Sequence, residues 1–316
     1  MTIEGKTVVV TGGAGFIGSH LCRGLLERGA SVVSIDDCST GRTSLVPNPV
    51  IFEQANILHE GLSSLLAEHD PYAIVHLAAK HYIPECNKHP YETFRVNVLG
   101  TQRLLAAVNE LPNLERFVFA SSAAIYPAHT EPLEETHPPA PLDIYGQTKL
   151  LGEKLVRLFS HETGVSSPIA RLFNVYGPGE TNPHLIPDIL EQAHDKGVKI
   201  ELGNLTPRRD FVHVEDVVEG LITMLESFQG GVRTFNIGTG ETYSVRDVVE
   251  ILGNVLGEEF VIGQDESRIR ESDRPHLEAD IQRIKRELDW SPRFSLRDGL
   301  KQTVSRSVSP AQSGRQ

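Results

Sequence analysis

The sequence predicts an α/β protein, with a parallel β-sheet doubly wound by helices and a smaller C-terminal α/β lobe after it. Three observations carry this expectation. Short β-branched runs alternate with helical patterns through residues 1–173, a glycine-rich turn joins the first strand to the first helix, and the rhythm breaks after about Asn174 into Gly-, Pro- and Asn-rich stretches. Strands alternating with helices bury both faces of a parallel sheet. Residues 1–173 are therefore expected to form the main sheet domain, and 174–301 mainly the smaller lobe, with some segments returning to the first domain. Residues 302–316, rich in Ser, Gln and Arg without apolar periodicity, read as a flexible tail.

The elements follow in order. Val8-Val9-Val10 is a strand ended by Thr11-Gly12-Gly13, and Ile17, Leu21 and Leu25 at four-residue spacing mark an amphipathic helix. A second strand, Ser31 to Ile35, ends in Asp36-Asp37, and similar strands fall at Ala73 to Leu77, Arg116 to Ser121 and Ser167 to Leu172. Helical patterns cover residues 91–109 and 143–159; in the second, Ile144, Thr148, Leu151, Leu155 and Leu158 mark the expected buried stripe. The later lobe carries Tyr176-Gly-Pro-Gly-Glu-Thr-Asn-Pro183 and Gly203-Asn-Leu-Thr-Pro207 between short helices.

Composition narrows the function classes. The chain of 316 residues is 39% apolar and 23% charged, which fits a folded globular protein. Thirty Lys plus Arg against 42 Asp plus Glu give a formal charge of −12, which repels a phosphate backbone and excludes general nucleic-acid binding. Any phosphate bound here needs a local site. Cys22, Cys38 and Cys86 form no Cys-x-x-Cys pair and suit a reducing cytoplasm without disulfides. No uncharged apolar stretch reaches the ~18 residues of a spanning helix, so neither membrane insertion nor secretion is expected.

Gly12-Gly13-Ala14-Gly15-Phe16-Ile17-Gly18 places Gly-x-x-Gly-x-x-Gly between a strand and a helix. A dinucleotide pyrophosphate must approach the backbone at a helix N-terminus, where side chains would block it. Asp36 ends the next strand, where its carboxylate can accept from both ribose hydroxyls of NAD and repel the 2′-phosphate of NADP. Arg42, close by in sequence, is the one residue placed to meet such a phosphate. The alternative reading is a glycine turn needed only for tight strand–helix packing.

Tyr145 and Lys149, four apart on a helix, project from one face. Bringing tyrosine from its ordinary pKa to about 7 takes roughly 4 kcal/mol, which a nearby ammonium and a cationic nicotinamide can supply together. Tyr145 then removes a proton from an alcohol while hydride leaves its carbon. Ser121-Ser122 end a strand, where open α/β sheets place their ligands, and a hydroxyl there can hold the substrate oxygen. A solvated Tyr–Lys pair and two turn-forming serines remain the plainer alternatives.

These residues resemble the extended short-chain dehydrogenase/reductase family, in particular its NAD-dependent nucleotide-sugar epimerases and dehydratases with a Rossmann-type sheet. The matching segments are Thr11-Gly-Gly-Ala-Gly-Phe-Ile-Gly-Ser-His20, His76-Leu-Ala-Ala79, Asn97-Val-Leu-Gly-Thr101, Ser121-Ser-Ala-Ala-Ile-Tyr126, Tyr145-Gly-Gln-Thr-Lys149, Arg171-Leu-Phe-Asn-Val-Tyr-Gly-Pro178 and Arg209-Asp-Phe-Val-His-Val-Glu-Asp216. The resemblance assigns Ser122, Tyr145 and Lys149 to catalysis. It implies NAD contacts from Gly12, Gly15, Phe16, Ile17, Gly18, Asp36, Asp37, Ser39, Thr40, Asn56, Ile57, Leu77, Ala78, Ala79 and Asn97 as well as Tyr145 and Lys149, with Asn56 standing where the family usually has Asp. For a nucleotide-diphosphate sugar it implies Asn174, Arg209 and Arg274 at the diphosphate, Leu185 and the strand Ile200 to Leu202 at the base, and Lys80, His81, Tyr82 and Ser122 toward the sugar. Surface ion pairing is the alternative for the arginines. A homodimer through the helices at 91–109 and 143–159 is also implied.

Such enzymes begin by oxidising the sugar at C4. Dehydratases of the family then use an Asp-Glu pair after the catalytic Ser or Thr; here the residues are Ala123-Ala124, which favours C4 epimerisation with NAD regenerated each cycle. Two departures stand against the common pattern. Lys80-His81-Tyr82-Ile83-Pro84-Glu85-Cys86 replaces mostly small or hydroxyl residues, so His81, Glu85 or Cys86 can either transfer protons in a dehydratase or C5-epimerase, or shape the sugar pocket. His76, His81, Cys86 and His89 have no recognised metal-ligand spacing, and no metal is expected. Arg274-Pro-His276 replaces the frequent Arg-Pro-Gly and shortens the segment before Ala279-Asp280. An NAD-linked sugar dehydrogenase and a non-catalytic sensor complete the alternatives.

Overall fold

A computed structural model describes residues 2–180, 182–268 and 274–307. Seven strands form one sheet: β1 (Thr7–Thr11), β2 (Ser31–Asp36), β3 (Ile51–Gln54), β4 (Ala73–His76), β5 (Arg116–Ser122), β6 (Ile169–Leu172) and, after an excursion described below, Thr234–Ile237. All pairings are parallel, and the spatial order is β3-β2-β1-β4-β5-β6 followed by the Thr234–Ile237 strand. The order reverses between β1 and β4, which opens a crevice beyond the carboxyl ends of those two strands. Period-two alternation sends Val8 and Val10 into one buried core and Val9 into the other; Val118 and Ala120 oppose Phe117 and Phe119 in the same way.

The helices on this sheet are α1 (Phe16–Glu27), α2 (Leu62–His69), α3 (Ile83–Lys88), α4 (Pro90–Phe94), α5 (Thr101–Val108) and α6 (Ile144–Thr163). Between α4 and α5 the chain makes one π-helical turn, Arg95–Gly100, so the helix expected over 91–109 is not uniform. That wider turn carries Asn97, whose side chain accepts from Lys80 N–H and donates to Lys80 O and Thr148 Oγ1. Asp143 caps α6 by accepting from Gly146 N–H, and Gly164 ends it in a left-handed conformation. The buried stripe of α6 differs from the expected one. It runs through Gly146, Thr148, Lys149, Gly152, Glu153, Val156, Phe159 and Ser160, whereas Leu151 and Leu155 are half-buried and Leu158 is 55% exposed.

The buried face of α6 is polar because it carries a fixed ion pair. Glu153 receives two hydrogen bonds from Arg171, from Nε and Nη2, both at 2.9 Å, and one from Ser121 Oγ at 2.6 Å. Arg171 also donates to the Tyr126 hydroxyl, which donates to Asn236. A buried carboxylate satisfied this way is tolerated; one stripped of its partner is not.

The remaining elements are β7 (Asn174–Tyr176), α7 (Leu185–Lys196), β8 (Lys199–Leu202), β9 (Arg208–His213), α8 (Val214–Ser227), β10 (Thr234–Ile237), β11 (Thr242–Ser244), α9 (Val245–Leu256), β12 (Val261–Gln264), β13 (His276–Leu277), α10 (Gln282–Leu288) and α11 (Leu296–Ser307). β9 is the hub, pairing with β7, β11 and β13, while β8 pairs with β12. Tyr176, Ile186, Ile200, Leu202, Phe211, Val248, Leu252 and Leu300 make their core, whereas α8 and β10 pack with the seven-stranded sheet. Residues 302–307, expected as part of a flexible tail, instead continue α11. Val304 continues Leu296 and Leu300 at four-residue spacing against that core, and Thr303, 4% exposed, donates to Gly299 O. Residues 308–316 lie outside the described residues.

Replacing Arg171 by Met is expected to remove about 3–5 kcal/mol of stability, because Glu153, 3% exposed, is left charged and buried. Urea unfolding checks it. A loss below about 1 kcal/mol would show that the network is not needed for folding.

Candidate active site

A cleft of about 510 Å³ runs across the carboxyl ends of the parallel strands. One end is built by the glycine turn. Gly12 has φ +78°, and a Cβ there would lie 2.8 Å from Ala78 N, so the backbones of the first and fourth strand ends touch through it. Gly15 precedes α1 without a side-chain cap, leaving the helix N-terminus facing the cleft beside Phe16, Ile17 and Gly18. Asp36 is fixed by accepting from Ala14 N–H at 3.0 Å and Cys38 N–H at 2.8 Å, which leaves lone pairs of its oxygens for ribose hydroxyls. Burial raises its pKa, and those two N–H groups oppose the rise. Asp37, Ser39, Thr40, Asn56, Ile57, Leu77, Ala78 and Ala79 complete this end. Asn56 is already engaged: its amide donates to Asp37 at 2.6 Å and accepts from Leu58 N–H at 2.8 Å. Arg42 is exposed and does not line the cleft. An open helix N-terminus, a side-chain-free approach and a fixed carboxylate are the donor set that a dinucleotide with free ribose hydroxyls requires, and NAD fits it.

At the centre stand Ser122, Tyr145 and Lys149. Lys149 Nζ donates to Ala120 O at 2.7 Å and lies 5.8 Å from the Tyr145 ring centroid. Ser122 and Tyr145 both line this part of the cleft, and Ser122 Oγ accepts from Ala124 N–H at 3.1 Å. Burial pushes Lys149 down to about 8 and holds the Tyr145 phenol above its ordinary range, with the nearby Ser122 hydroxyl acting in the opposite direction. Ser121 and Ser122 are thus separated by the strand's alternation. Ser121 supports Glu153, and Ser122 meets Tyr145. Ala123 and Ala124 follow in the cleft wall and bring no acid or base.

The far end contains Asn174, Leu185, Arg209 and Arg274 as expected by position. Arg274, 8% exposed, already donates to Ala124 O and Tyr126 O and stands 3.6 Å from Asp143. Ile200 and Leu202 do not line the cleft; alternation along β8 turns both into the core, at 0% and 3% exposure, and Ile186, Gly203, Asn204 and Pro207 form the wall instead. Asn97 is likewise buried away from the cleft and fixes the Lys80 backbone.

The loop after β4 divides. His81 lines the cleft, and burial with the neighbouring His184 charge pushes it down to about 4. Lys80 Nζ points to Ser39 Oγ, 3.3 Å away, on the dinucleotide side. Tyr82 packs its ring 5.8 Å from that of His184. Glu85 turns outward to Lys88 and His89, and Cys86, 2% exposed, is not part of the wall. Sequence reasoning missed Glu180 and His184, which line the cleft opposite His81; four-residue spacing after Tyr176-Gly-Pro was the available signal.

The fold and cleft define a dinucleotide-dependent enzyme with a tyrosine–lysine centre. The chain belongs to the NAD-dependent epimerase/dehydratase family, whose model matches residues 8–238. It is 32% identical to UDP-glucose 4-epimerase of Azospirillum brasilense over 95% of this chain and 91% of that one. Its structure matches that of UDP-glucose 4-epimerase from Thermotoga maritima, solved with UDP-glucose, with a TM-score of 0.89, 30% identity, and coverage of 95% and 98% of the two chains. It also matches UDP-glucuronic acid 4-epimerase from Bacillus cereus, solved with UDP-glucuronic acid and NAD, with a TM-score of 0.87, 30% identity, and coverage of 95% and 98%.

The buried ammonium makes a prediction about stability. A lysine with its folded pKa lowered from 10.5 to about 8 penalises folding fully below about pH 8, and the penalty fades as pH rises toward 10.5. Relative to Lys149→Met, the cofactor-free wild type should therefore gain about 2 to 3 kcal/mol between pH 7 and pH 10. Denaturant titrations at both pH values test this; a constant difference would mean that Lys149 is not buried as a cation.

Proposed function

We propose that the protein interconverts the C4 epimers of a nucleotide-diphosphate sugar through a transient 4-keto sugar. The observation that carries this reading is the convergence of Ser122, Tyr145 and Lys149 between a dinucleotide end and an arginine-bearing end of one cleft. Bound NAD supplies the hydride acceptor and donor. Ser122 orients the sugar C4 hydroxyl, and Tyr145 takes its proton and later returns one. Lys149 favours the phenolate electrostatically and holds the nicotinamide ribose. Arg209 and Arg274 hold the diphosphate while the keto sugar turns its other face to the cofactor. With Ala123 and Ala124 beside Ser122, no carboxylate on that strand can drive elimination. Relatives named for glucose and for glucuronic acid leave the sugar itself open.

Purified protein incubated with UDP-, GDP-, ADP- and dTDP-sugars in deuterated water should give an isomer of unchanged mass without solvent deuterium, read by mass spectrometry and proton NMR. Loss of water, or deuterium at C5, overturns epimerisation. Tyr145→Phe should lower turnover about 10²–10⁴-fold while NAD remains bound.

A homodimer completes the proposal. Tyr91, Phe94, Leu99, Leu142 and Leu158 are 79%, 38%, 47%, 51% and 55% exposed and lie on or beside α4, the π-turn and α6. Such an apolar face fits a self-complementary helix bundle. Among the described residues no helix is long and apolar enough to cross a membrane. Three free cysteines support a cytoplasmic setting. Leu99→Glu with Leu158→Glu should convert the dimer to monomer in sedimentation velocity; a monomeric wild type would refute the interface.

A further inference from the structure

Tyr145 and the arginines leave one ionisable pair in the cleft without a task. Glu180 lies in the loop between β7 and α7, and its side chain is 4% exposed where it lines the cleft. Its carboxylate accepts from Nδ1 of His184, the residue that precedes α7. The His184 ring in turn stands 6.3 Å from His81 and 5.8 Å from Tyr82, between ring centroids. The loop after β4 thus meets the loop after β7 across the cleft. His81, Glu180 and His184 line the same cleft as Tyr145 and Lys149.

The lysines and arginines of the cleft each have a partner other than Glu180. Lys80 donates to Ser39, Lys149 to Ala120 O, Arg209 to Arg208 O, Arg268 to Asp188 and Arg274 to Ala124 O. Among the described residues the ion pair found for Glu180 is the one with His184. Burial raises the Glu180 carboxyl above its ordinary value and the hydrogen bond from His184 opposes the rise; at a pH above that raised value the carboxylate is an anion. The sugar end then offers a hydrogen-bond acceptor of negative charge.

We propose that Glu180, held by His184 against His81 and Tyr82, selects the sugar: the cleft takes hexoses whose C5 substituent is uncharged or cationic and turns away hexuronates. This rests on the nucleotide-sugar reading above and narrows it. A hydroxymethyl group can donate to the carboxylate, whereas a C6 carboxylate brings a second negative charge beside the first. Like charges a few ångströms apart at protein surfaces are worth on the order of 10²-fold in affinity.

The test uses UDP-glucose and UDP-glucuronic acid, which differ at C6 alone, with the full chain carrying NAD. Dissociation constants come from calorimetry and kcat/KM from NMR, both at about pH 8, above the usual imidazole range. Wild type should prefer UDP-glucose by on the order of 10²-fold. Glu180→Gln, equal in shape and uncharged, should narrow the preference to within about tenfold, chiefly by gaining the uronate. His184→Gln keeps an N–H donor and should retain the preference, which tests the assignment even where Glu180→Gln folds poorly. Equal or better binding of the uronate by wild type, an unchanged ratio in Glu180→Gln, or loss of the preference in His184→Gln overturns the proposal. Selection in binding without turnover overturns the epimerase reading and upholds this one. Turnover without selection does the reverse.

Discussion

The active centre depends on how closely helix α6 lies on strand β5. Two glycines permit that approach: a Cβ on Gly146 would overlap Ala124 O, and one on Gly152 would overlap the Phe119 ring. With the backbones so near, Lys149 reaches Ala120 O and, one turn later, Glu153 reaches Ser121. Each contact joins a helix residue to a strand residue at fixed register, so one packing event sets both the ammonium in the cleft and the carboxylate beneath it. Ser121 continues the Phe117 and Phe119 face toward α6, and Ser122 falls at the strand's end beside Tyr145. A larger residue at either glycine would push α6 off β5 and displace Lys149 without itself lining the cleft.

This constraint also explains what could be read from the chain and what could not. β1, β2, β4, β5 and β6 are legible because strands covered on both faces become β-branched runs. β3 lies at the sheet edge with Ile51 half-exposed, and β10 has four residues arriving after a long excursion, so neither carries a comparable pattern. The glycine turn and Asp36 are legible because spacing along the chain fixes their geometry. The stripe of α6 is not, since its leucines mark the face turned away from the sheet while its sheet-facing side carries Lys149, Glu153 and two glycines. Apolar spacing identifies a face but not what covers it. The π-turn at Arg95–Gly100 has no pattern in residue type, and His184, the partner of Glu180, meets His81 only through the folding of two loops separated by a hundred residues.

Charge is distributed with the same economy of placement. The chain carries a formal charge of −12, yet the sugar-nucleotide diphosphate proposed for this cleft needs positive groups. Arg274 is buried and oriented by Ala124 O, Tyr126 O and Asp143, so its guanidinium is positioned before any ligand arrives. Preorganisation of this kind lowers the ordering cost of binding an anion, which a mobile surface arginine would incur in full. Asp143 serves twice, as the cap of α6 and as the partner of Arg274, and so links the helix that carries Tyr145 to the anion-facing end.

The same burial that sharpens these interactions works against the tyrosine. In the protein alone, removal from water raises the Tyr145 phenol and lowers the Lys149 ammonium, so both groups move toward neutrality. A neutral phenol is no base for an alcohol. The phenolate gains ground when a positive charge is added beside it in the dry centre, where a charge at a given distance counts for more than in water. On the function proposed above, cofactor binding and the activation of Tyr145 are therefore one electrostatic event, and without its dinucleotide the protein favours the protonated phenol.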